Sequence, residues 1–461
     1  MIYHAHYYLK QFSELVIMRG VWHMDYGLGG IDLPPPMSDV VCPFCAMACD
    51  DLAIARERTG QLRVTANGCA RARTLFALPA LPAHCFIRGR AVPLEEALDA
   101  AAALLRDAAS PAVGGLSADT EGVSAALALA ERLGAVVDHA ASDSLFHGLR
   151  AFQVTGAMTA TFGEIRNRAD LFVLFGTEFE RHAPRLFDRI VHPPTALFRD
   201  AGTARGFLIG PGDGPAPDGF ERLPADLTHA PAIAAALSQL LAGETPRGDR
   251  VGGIAMEDLA RVATALHEAR FGVVGWIAAT LDPAAGDVAI EAFNRLVVIA
   301  NASTRCAGLP LGGKGNALGA NYVCAWQYGV PLRSRLGAGP PEHDPLRYRL
   351  KSLLAGGEVD ALVWLSALNG AELPDTRTPM IVLARPGQPL PRDPEVLIPV
   401  AVPGLDHAGS IHRGDGVAAL PLRRLRTTAM TLPSAASVLS ALLDRLPSSP
   451  LPVPLRETAH V

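Results

Sequence analysis

The chain lacks the features that mark several large classes of protein. In its 461 residues no apolar run reaches the roughly 18 residues of a membrane-spanning helix. Aromatic residues make up only 6 %, so the core must consist mainly of Ala, Leu and Val. The formal net charge of −5 argues against a nucleic-acid-binding surface. Cysteine is scarce and clustered, which fits a reducing compartment. We therefore expect a cytoplasmic protein with no membrane span and no nucleic-acid partner.

Several catalytic motifs are also absent. The sequence contains no Walker loop, no dinucleotide-binding fingerprint, no H-E-x-x-H and no G-x-S-x-G. Gly-rich segments do occur, among them residues 312–316 and Arg413-Gly414-Asp415-Gly416. Such segments can cradle a phosphate, but alone they indicate turns more often than ligand sites. The histidines, including His147, show no paired metal spacing and favour structural roles.

Four of the seven cysteines are gathered near the amino end of the chain. Cys42, Cys45 and Cys49 follow the spacing C-x2-C-x3-C, and Cys69 follows after nineteen intervening residues. Three close thiolates and one distant thiolate are a usual ligand set for a cubane iron–sulfur cluster. A four-cysteine zinc site is the chemical alternative, although a second C-x2-C pair is missing. A third interpretation is a group of small buried apolar residues without a metal.

The residues after these cysteines predict a β-hairpin. Residues 51–55 and 61–65 read as two short strands around Arg58-Thr59-Gly60, and the hairpin would bring Cys69 back towards the other three cysteines. A short helix is predicted from Ala70 to Ala77. Its Arg71 and Arg73 either lie on a solvated helix face or balance the charge of an anionic cluster or ligand.

From about residue 91 onward, predicted strands alternate with predicted helices. Residues 171–176 form an apolar run typical of a buried strand, and a helix with Asp119 or Thr120 as its N-cap ends at Gly134. This alternation indicates parallel βαβ units and hence an α/β fold with two three-layer αβα (Rossmann-like) lobes. The predicted parts are a disordered extension or mis-assigned start (1–36), a four-cysteine module (37–90), a first lobe (91–225), a second lobe (226–446) and a Pro-rich tail (447–461).

Several separated motifs resemble one family. Five stretches are similar to the B subunit of formylmethanofuran dehydrogenase, in the molybdopterin oxidoreductase superfamily. They are the cysteine stretch, the block at 152–170 with the following Gly176-Thr177, His182-Ala183-Pro184-Arg185, the stretch at 319–331 and the stretch at 411–417. The resemblance implies a [4Fe-4S] cluster and a molybdopterin guanine dinucleotide that carries tungsten or molybdenum. Its implied cluster ligands are Cys42, Cys45, Cys49 and Cys69, and its implied cofactor-binding residues are Gly176, Gly414, Asp415 and Gly416.

The sequence departs from that family at the metal. The family places a cysteine or selenocysteine, which ligates the metal, directly before His-Gly, whereas this chain has Phe146 before His147 and Gly148. A phenyl ring has no lone pair to offer a metal. A lost ligand on a retained scaffold resembles the B subunit of the bacterial formyltransferase/hydrolase complex of methylotrophs. We therefore assign no catalytic residue to this chain.

The resemblance to the bacterial complex implies a role in one-carbon metabolism. In that complex, formyl groups pass from tetrahydromethanopterin to a methanofuran-like carrier and are hydrolysed to formate by other subunits. The chain would then be a non-redox scaffold whose partners are those subunits. Superfamily enzymes carry a C-terminal β-barrel, which we do not expect here. The alternatives are an active tungsten or molybdenum dehydrogenase, with the metal held through pterin sulfurs, and a zinc-bearing regulatory module.

Overall fold

The computed structural model describes residues 35–80, 84–212, 214–368, 372–426 and 432–448. Most of the predicted extension (1–36) and of the predicted tail (447–461) lies outside these ranges. The fold is mixed α/β, as predicted. Among the described helices, none is long and apolar enough to cross a membrane.

The described residues form twenty-one strands in five sheets. The strands are β1 (Met37–Val40), β2 (Leu52–Arg56), β3 (Leu62–Ala66), β4 (Cys85–Ile87), β5 (Arg90–Val92), β6 (Pro111–Ser117), β7 (Val136–Val137), β8 (Leu171–Phe175), β9 (Arg205–Gly210), β10 (Phe220–Pro224), β11 (Arg250–Val251), β12 (Ile254–Ala255), β13 (Gly272–Ile277), β14 (Cys306–Leu311), β15 (Ser334–Arg335), β16 (Glu342–His343), β17 (Ala361–Ser366), β18 (Met380–Ala384), β19 (Val396–Pro399), β20 (Gly409–His412) and β21 (Ala419–Leu422).

The same part of the chain forms twelve α-helices. They are α1 (Ala70–Phe76), α2 (Leu94–Arg106), α3 (Thr120–Leu133), α4 (Ser142–Thr155), α5 (Phe162–Arg168), α6 (Phe179–His182), α7 (Ala230–Leu241), α8 (Met256–Glu268), α9 (Gly286–Ala300), α10 (Ala317–Tyr328), α11 (Leu350–Ala355) and α12 (Ala435–Asp444). A π-helix spans Phe187–Val191, and short 3-10 helices span Leu227–His229, Ala278–Thr280 and Lys314–Asn316.

The cysteine-containing segment folds as a small antiparallel sheet with one helix. Strands β1, β2 and β3 pair in that order, and the β2–β3 hairpin confirms the hairpin predicted from the sequence. Alternating residues of the hairpin, such as Ile54 and Val64, are buried because one face of the sheet packs inward. Helix α1 then begins directly after Cys69, whose sulfur accepts a hydrogen bond from the Ala72 amide at 3.4 Å.

A five-stranded sheet in the order β10-β9-β8-β13-β14 is parallel throughout. Its central strands are apolar along their whole length because both faces of the sheet are covered. On β8, Leu171 and Val173 face a core formed with α7, α8 and α9. Phe172 and Leu174 face a second core formed with α5, the π-helix and the cysteine segment. The cysteine segment is thus packed directly onto this sheet.

A nine-stranded sheet has the order β16-β15-β7-β6-β17-β18-β19-β4-β5. Its five central strands, from β7 to β19, are parallel, and the two strands at each edge are antiparallel. On β17, Val363 and Leu365 face the core made with α2, α3, α10 and α12, whereas Leu362 and Trp364 face a smaller core with α11. None of the described sheets closes into a barrel.

The two large sheets do not follow the predicted division at residue 225. Strands β4 to β7 and β15 to β19 belong to the nine-stranded sheet, while β8, β9, β10, β13 and β14, between them in sequence, form the five-stranded sheet. The chain therefore leaves the first lobe after β7 and returns to it at β15. The predicted ranges 91–225 and 226–446 each contribute strands to both sheets, because β6 pairs with β17 across more than two hundred residues.

Candidate functional site

The cysteine loop between β1 and β2 is tightly folded. The Cys42 amide donates to the Cys49 carbonyl at 2.8 Å, and the Ala48 amide donates to the Cys45 carbonyl at 3.0 Å. Ala48 has a φ of 39°, so the loop turns through the left-handed region. These bonds bring Cys42, Cys45 and Cys49 to one place. Cys69, the residue directly before α1, is near enough to influence the pKa of Cys42.

Burial raises the pKa of the Cys42, Cys45 and Cys49 thiols and so favours their protonated form. It raises the pKa of Cys42 well above its usual value, and neighbouring cysteine thiolates raise it further. Burial also raises the pKa of Cys49 to about 11, although the charges of Arg189 and Arg185 oppose this shift. The pKa of Cys45 is likewise raised by burial. A metal would have to displace these protons, so its binding would be pH-dependent.

The donor set fits an iron–sulfur cluster in its chemistry, but the observed arrangement does not form a metal site. Four thiols with nearby guanidinium groups suit an anionic cluster. Within the described ranges, however, no group of three or more His, Cys, Asp or Glu side chains is placed to hold a metal ion. Their role as cluster ligands stays a prediction, and none of the seven cysteines forms a disulfide.

Two arginines of the π-helix segment fix the cysteine loop to the five-stranded sheet. Arg185 binds both carboxylate oxygens of Asp51, at 2.6 and 3.0 Å, and its side chain is only 11 % exposed. Arg189 pairs with Asp50 and also hydrogen-bonds the Cys49 sulfur. Burial alone would raise the pKa of Asp51, but the bonds and charges of these two arginines lower it. No sequence pattern pointed to Arg189, whereas Arg185 lies within a family-like stretch.

Arg71, the basic residue near the fourth cysteine, has two contacts. Its guanidinium donates to the Arg181 carbonyl at 2.6 Å, and its charge lowers the pKa of Cys45, against the larger effect of burial. Charge balance and a solvated helix face were the two interpretations of Arg71 that the sequence allowed. Arg71 is partly buried and close enough to act on the Cys45 thiol, and its role in balancing the charge of a cluster or ligand stays a prediction.

The predicted cofactor-binding residues Gly414, Asp415 and Gly416 lie in the loop between β20 and β21. The Gly414 amide donates to the Ala46 carbonyl at 2.7 Å, and a Cβ on Gly414 would lie 2.8 Å from the Ala46 Cβ. Asp415 is paired with Arg413 and accepts from the Phe162 amide at 2.9 Å, at the start of α5. These contacts explain the presence of Gly414 and Asp415 by structure alone, because they hold this loop against the cysteine loop and α5.

The backbone conformation also explains why positions 416 and 176 carry glycine. Gly416 has a φ of 75°, and a Cβ there would lie 2.6 Å from the hydroxyl of Tyr322. Gly176 follows β8 with a φ of 121°, and its amide donates to the Ile209 carbonyl at 2.8 Å. Residues other than glycine rarely adopt these backbone conformations. The binding role that the resemblance implies for the four loop residues therefore stays a prediction.

The Gly-rich segment at 312–316 closes the carboxyl end of β6. Asn316 donates to the Ala118 carbonyl and accepts from the His412 amide, both at 3.0 Å. His139 lies 3.1 Å from the Gly315 carbonyl through Nε2 and accepts from the Ala141 amide through Nδ1. Burial lowers the pKa of His139 to about 4. This buried turn is held by protein contacts, which agrees with the turn interpretation of the segment.

Phe146 lies on α4 and is buried, with 3 % of its surface exposed. Its ring stacks on His343 with centroids 6.0 Å apart, and the Arg333 guanidinium carbon lies 4.6 Å from its centroid. The ring belongs to the core of the nine-stranded sheet, whereas the cysteines belong to a core of the five-stranded sheet. The space around the ring is filled by protein. This position does not fit a tungsten or molybdenum ligand.

His147, the next residue, packs against the amino end of α9. A Cβ on Gly286 would lie 2.8 Å from the His147 ring, so only glycine allows this contact. Burial lowers the pKa of His147, while the charges of Asp287 and Asp143 oppose the shift. The structure thus directs Phe146 and His147 to different neighbours, and the contacts of both lie away from the cysteine loop.

Arg333 organises the surroundings of Phe146 and was not predicted from the sequence. It is 4 % exposed, has a φ of 59°, and pairs with Asp143 and with Asp138, the latter at 3.6 Å. Burial raises the pKa of Asp138 to about 6, although the charge of Arg333 opposes the shift. One sequence signal could have pointed to this group of charged residues. Asp138-His139 directly follows β7, and α/β sheets place functional side chains at the ends of their strands.

Comparisons with known proteins support the resemblance, although no protein-family model matches the chain. The chain is 31 % identical over 370 residues to the Fhc B subunit of the formyltransferase/hydrolase complex of Methylorubrum extorquens, and the match covers 78 % of this chain and 97 % of that protein. It is 27 % identical over 401 residues to the B subunit of the tungsten-containing formylmethanofuran dehydrogenase 2 of Methanocaldococcus jannaschii, with 82 % and 91 % covered.

Solved structures agree with these relatives. The crystal structure of the formyltransferase/hydrolase complex FhcABCD from Methylorubrum extorquens, with methylofuran bound, matches with a TM-score of 0.65 and 28 % identity, over 78 % of this chain and 98 % of that chain. Acetylene hydratase from Pelobacter acetylenicus matches with a TM-score of 0.62 over 90 % of this chain and 69 % of that chain. Its identity of 12 % shows a shared fold alone. The sequence and structural similarities together show that this chain belongs to the family of B subunits of the formyltransferase/hydrolase complex.

Proposed function

We propose that the chain is the B subunit of a formyltransferase/hydrolase complex and acts there as a non-redox scaffold. The relative at 31 % identity carries that name, and the matched structure is that of the FhcABCD complex. The chain spans nearly the whole length of both proteins, so the similarity covers a complete subunit. Its partners would be the transferase and hydrolase subunits of the same assembly, in the cytoplasm.

The environment of Phe146 carries this proposal. The residue stands where the resemblance places the metal ligand, and its ring is enclosed by Arg333 and His343. An arginine beside the ring supplies positive charge of its own, which would repel a metal cation. A redox metal centre at this position would need a ligand atom from the residue itself, and a phenyl ring supplies none.

Co-purification tests the scaffold role. The full chain, tagged and expressed in the organism that encodes it, should be isolated together with a formyltransferase subunit and a hydrolase subunit. Isolation of the chain alone under gentle, low-salt conditions would contradict the proposal. A tagged unrelated cytoplasmic protein from the same cells is the control for non-specific capture.

The alternative function is that of an active tungsten or molybdenum dehydrogenase. Two relatives, from Methanocaldococcus jannaschii and Methanococcus maripaludis, are B subunits of enzymes named tungsten-containing formylmethanofuran dehydrogenase 2, at 27 % and 25 % identity. Retention of all four cysteines also favours a redox protein. Elemental analysis separates the two functions: the scaffold should contain no tungsten or molybdenum, and about one such atom per chain would establish the dehydrogenase.

The iron–sulfur cluster is a separate prediction. If Cys42, Cys45, Cys49 and Cys69 bind a cluster, anaerobically purified protein should contain iron and acid-labile sulfide and show visible thiolate-to-iron absorbance. Cys306, which is buried in another core, provides a matched control: Cys306→Ser should leave the iron content unchanged, whereas Cys45→Ser should lower it. Protein with neither iron nor visible absorbance would refute the cluster. A zinc site or a metal-free structural role would then remain for the four cysteines.

A further inference from the structure

A pocket of about 180 Å³ lies at the carboxyl end of the nine-stranded sheet, beside β18 and β19. Its polar lining comes from His84, Arg385 and Gln388, and its apolar walls include Phe86, Leu390 and Leu397. The carboxyl ends of parallel strands are the usual place for ligands in α/β proteins. A cavity of about 150 Å³ is enough for benzene, so this pocket has room for a molecule with one ring.

Arg385 is the charged group of this pocket. It directly follows β18, and its amide donates to the Ser366 carbonyl at 3.2 Å, which fixes the backbone at the end of the sheet. Its Nε is buried and has no hydrogen-bond partner within the part of the chain that the structure describes. One terminal nitrogen reaches the carbonyl of the adjacent Pro386 at 3.5 Å, at the outer limit of a hydrogen bond. The guanidinium therefore has unused donors.

No acidic side chain among the described residues forms an ion pair with Arg385. Several other partly buried arginines are paired with acids, namely Arg185 with Asp51, Arg413 with Asp415 and Arg426 with Asp406, whereas Arg199 and Arg392 donate to backbone carbonyls. Burial lowers the pKa of Arg385, and no nearby charge offsets this effect. Arginine stays protonated in proteins, so the pocket holds an uncompensated positive charge that is partly removed from water. An anionic partner would remove that cost.

We propose that this pocket binds a small molecule that carries an oxyanion, either a carboxylate or a phosphate monoester, on an apolar body. The guanidinium would hold the oxyanion through two parallel hydrogen bonds. The ring of Phe86 and the side chains of Leu390 and Leu397 would contact the apolar body. The pocket shares no lining residue with the cysteine loop or with Phe146, so it does not depend on the proposed scaffold function.

Matched probes distinguish the two oxyanions. Benzoate and phenyl phosphate carry the two groups on the same ring, and benzamide is the neutral control. Titration calorimetry on the full chain should show binding of at least one of the two anions. The affinity should fall at least tenfold in Arg385→Met, because the charge-assisted hydrogen bonds are lost. Arg377→Met is the matched control: Arg377 precedes β18 and is not part of the pocket, so its removal should leave binding unchanged.

A second measurement uses the unmodified chain, in case Arg385→Met fails to fold. The bound anion should protect Arg385 from phenylglyoxal, as peptide mapping would show, while Arg377 should react equally with and without the anion. Three results would overturn the proposal. They are no binding of either anion at millimolar concentration, equal binding of benzamide, and Arg385 reactivity that the anion does not change.

Discussion

The replacement of Phe146 by alanine is the most direct test of the enclosed position. The ring is 3 % exposed, so its removal loses transfer free energy and leaves a cavity. Phe-to-Ala substitutions in cores cost about 3–5 kcal/mol of unfolding free energy. The contact with the Arg333 guanidinium, 4.6 Å from the ring centroid, adds up to about 2 kcal/mol when it is desolvated. We therefore expect Phe146→Ala to destabilise the chain by about 4–6 kcal/mol.

A second substitution separates volume from aromatic character. Phe146→Leu keeps most of the volume and loses the ring, so it should cost about 1–3 kcal/mol. Phe198 provides the control. Arg168 lies 4.7 Å from its ring, a similar contact, but Phe198 is 58 % exposed. Phe198→Ala should therefore cost no more than about 1 kcal/mol.

Urea unfolding of the native chain and the three variants, followed by circular dichroism, measures these differences in unfolding free energy. The comparison requires that the free energy of unfolding falls with urea concentration at the same slope in all four proteins. A cost for Phe146→Ala within about 1 kcal/mol of that for Phe198→Ala would refute the reasoning. The ring would then not be enclosed by Arg333 and His343, and the position could be open to a metal. A cost in the expected range would show that the ring is enclosed. The scaffold proposal would then still be tested by the metal analysis and the co-purification.

Two further predictions concern buried charge. Folding raises the pKa of Asp138 from 3.8 to about 6, so the folded chain binds its proton more tightly, and the contribution of Asp138 to stability falls as pH rises from about 4 to about 6. Folding lowers the pKa of His139 from 6.5 to about 4, so its contribution falls as pH falls over nearly the same range. Asp138→Asn should remove the first of these two pH dependences. The free energy of unfolding of the variant, relative to that of the native chain, should therefore rise by about 3 kcal/mol between pH 4 and pH 6.5. A difference between the two urea midpoints that stays constant over these pH values would contradict this prediction. Asp51→Asn should weaken the paired hydrogen bonds to Arg185 and speed hydrogen exchange in the β2–β3 hairpin, at a cost of about 2 kcal/mol. Glu57→Gln is the control, because it breaks an exposed ion pair in the same hairpin and should leave the exchange rates almost unchanged. Equal increases in the exchange rates of Asp51→Asn and Glu57→Gln would argue against the role of Arg185.

Local sequence pattern predicted many of the individual elements. Helix α3 begins after Asp119 and ends at Gly134, which adopts the left-handed conformation with a φ of 67°. The β2–β3 hairpin and strand β8 also lie within a residue or two of their predicted positions. These features depend on capping residues, turn residues and apolar periodicity over a few neighbouring residues. Such features can be predicted from the sequence because all the residues that determine them lie close together in the chain.

Other elements had weak local signals. No local pattern predicted α10, in which apolar residues occur nearly all around the helix, or the short strands β15 and β16. Gly414 and Asp415 were predicted as cofactor-binding residues through the family resemblance, but the ion pair of Asp415 with Arg413 was not predicted. The contacts of this loop with the cysteine loop and α5 were not predicted either. Such contacts join residues that are distant in sequence, and no periodic pattern records them.

The sequence by itself determined the α/β class, the clustering of four cysteines and the presence of a phenylalanine at position 146, where the family resemblance implies a metal ligand. Only the tertiary structure decided that β6 pairs with β17, that one sheet is inserted within the sequence of the other, and that Arg333 lies against the Phe146 ring. The physical reason is that strand order and side-chain contacts depend on which apolar faces meet when the whole chain collapses. Strands of similar apolar composition can pair in several orders, and the free energy of the complete core selects one of them.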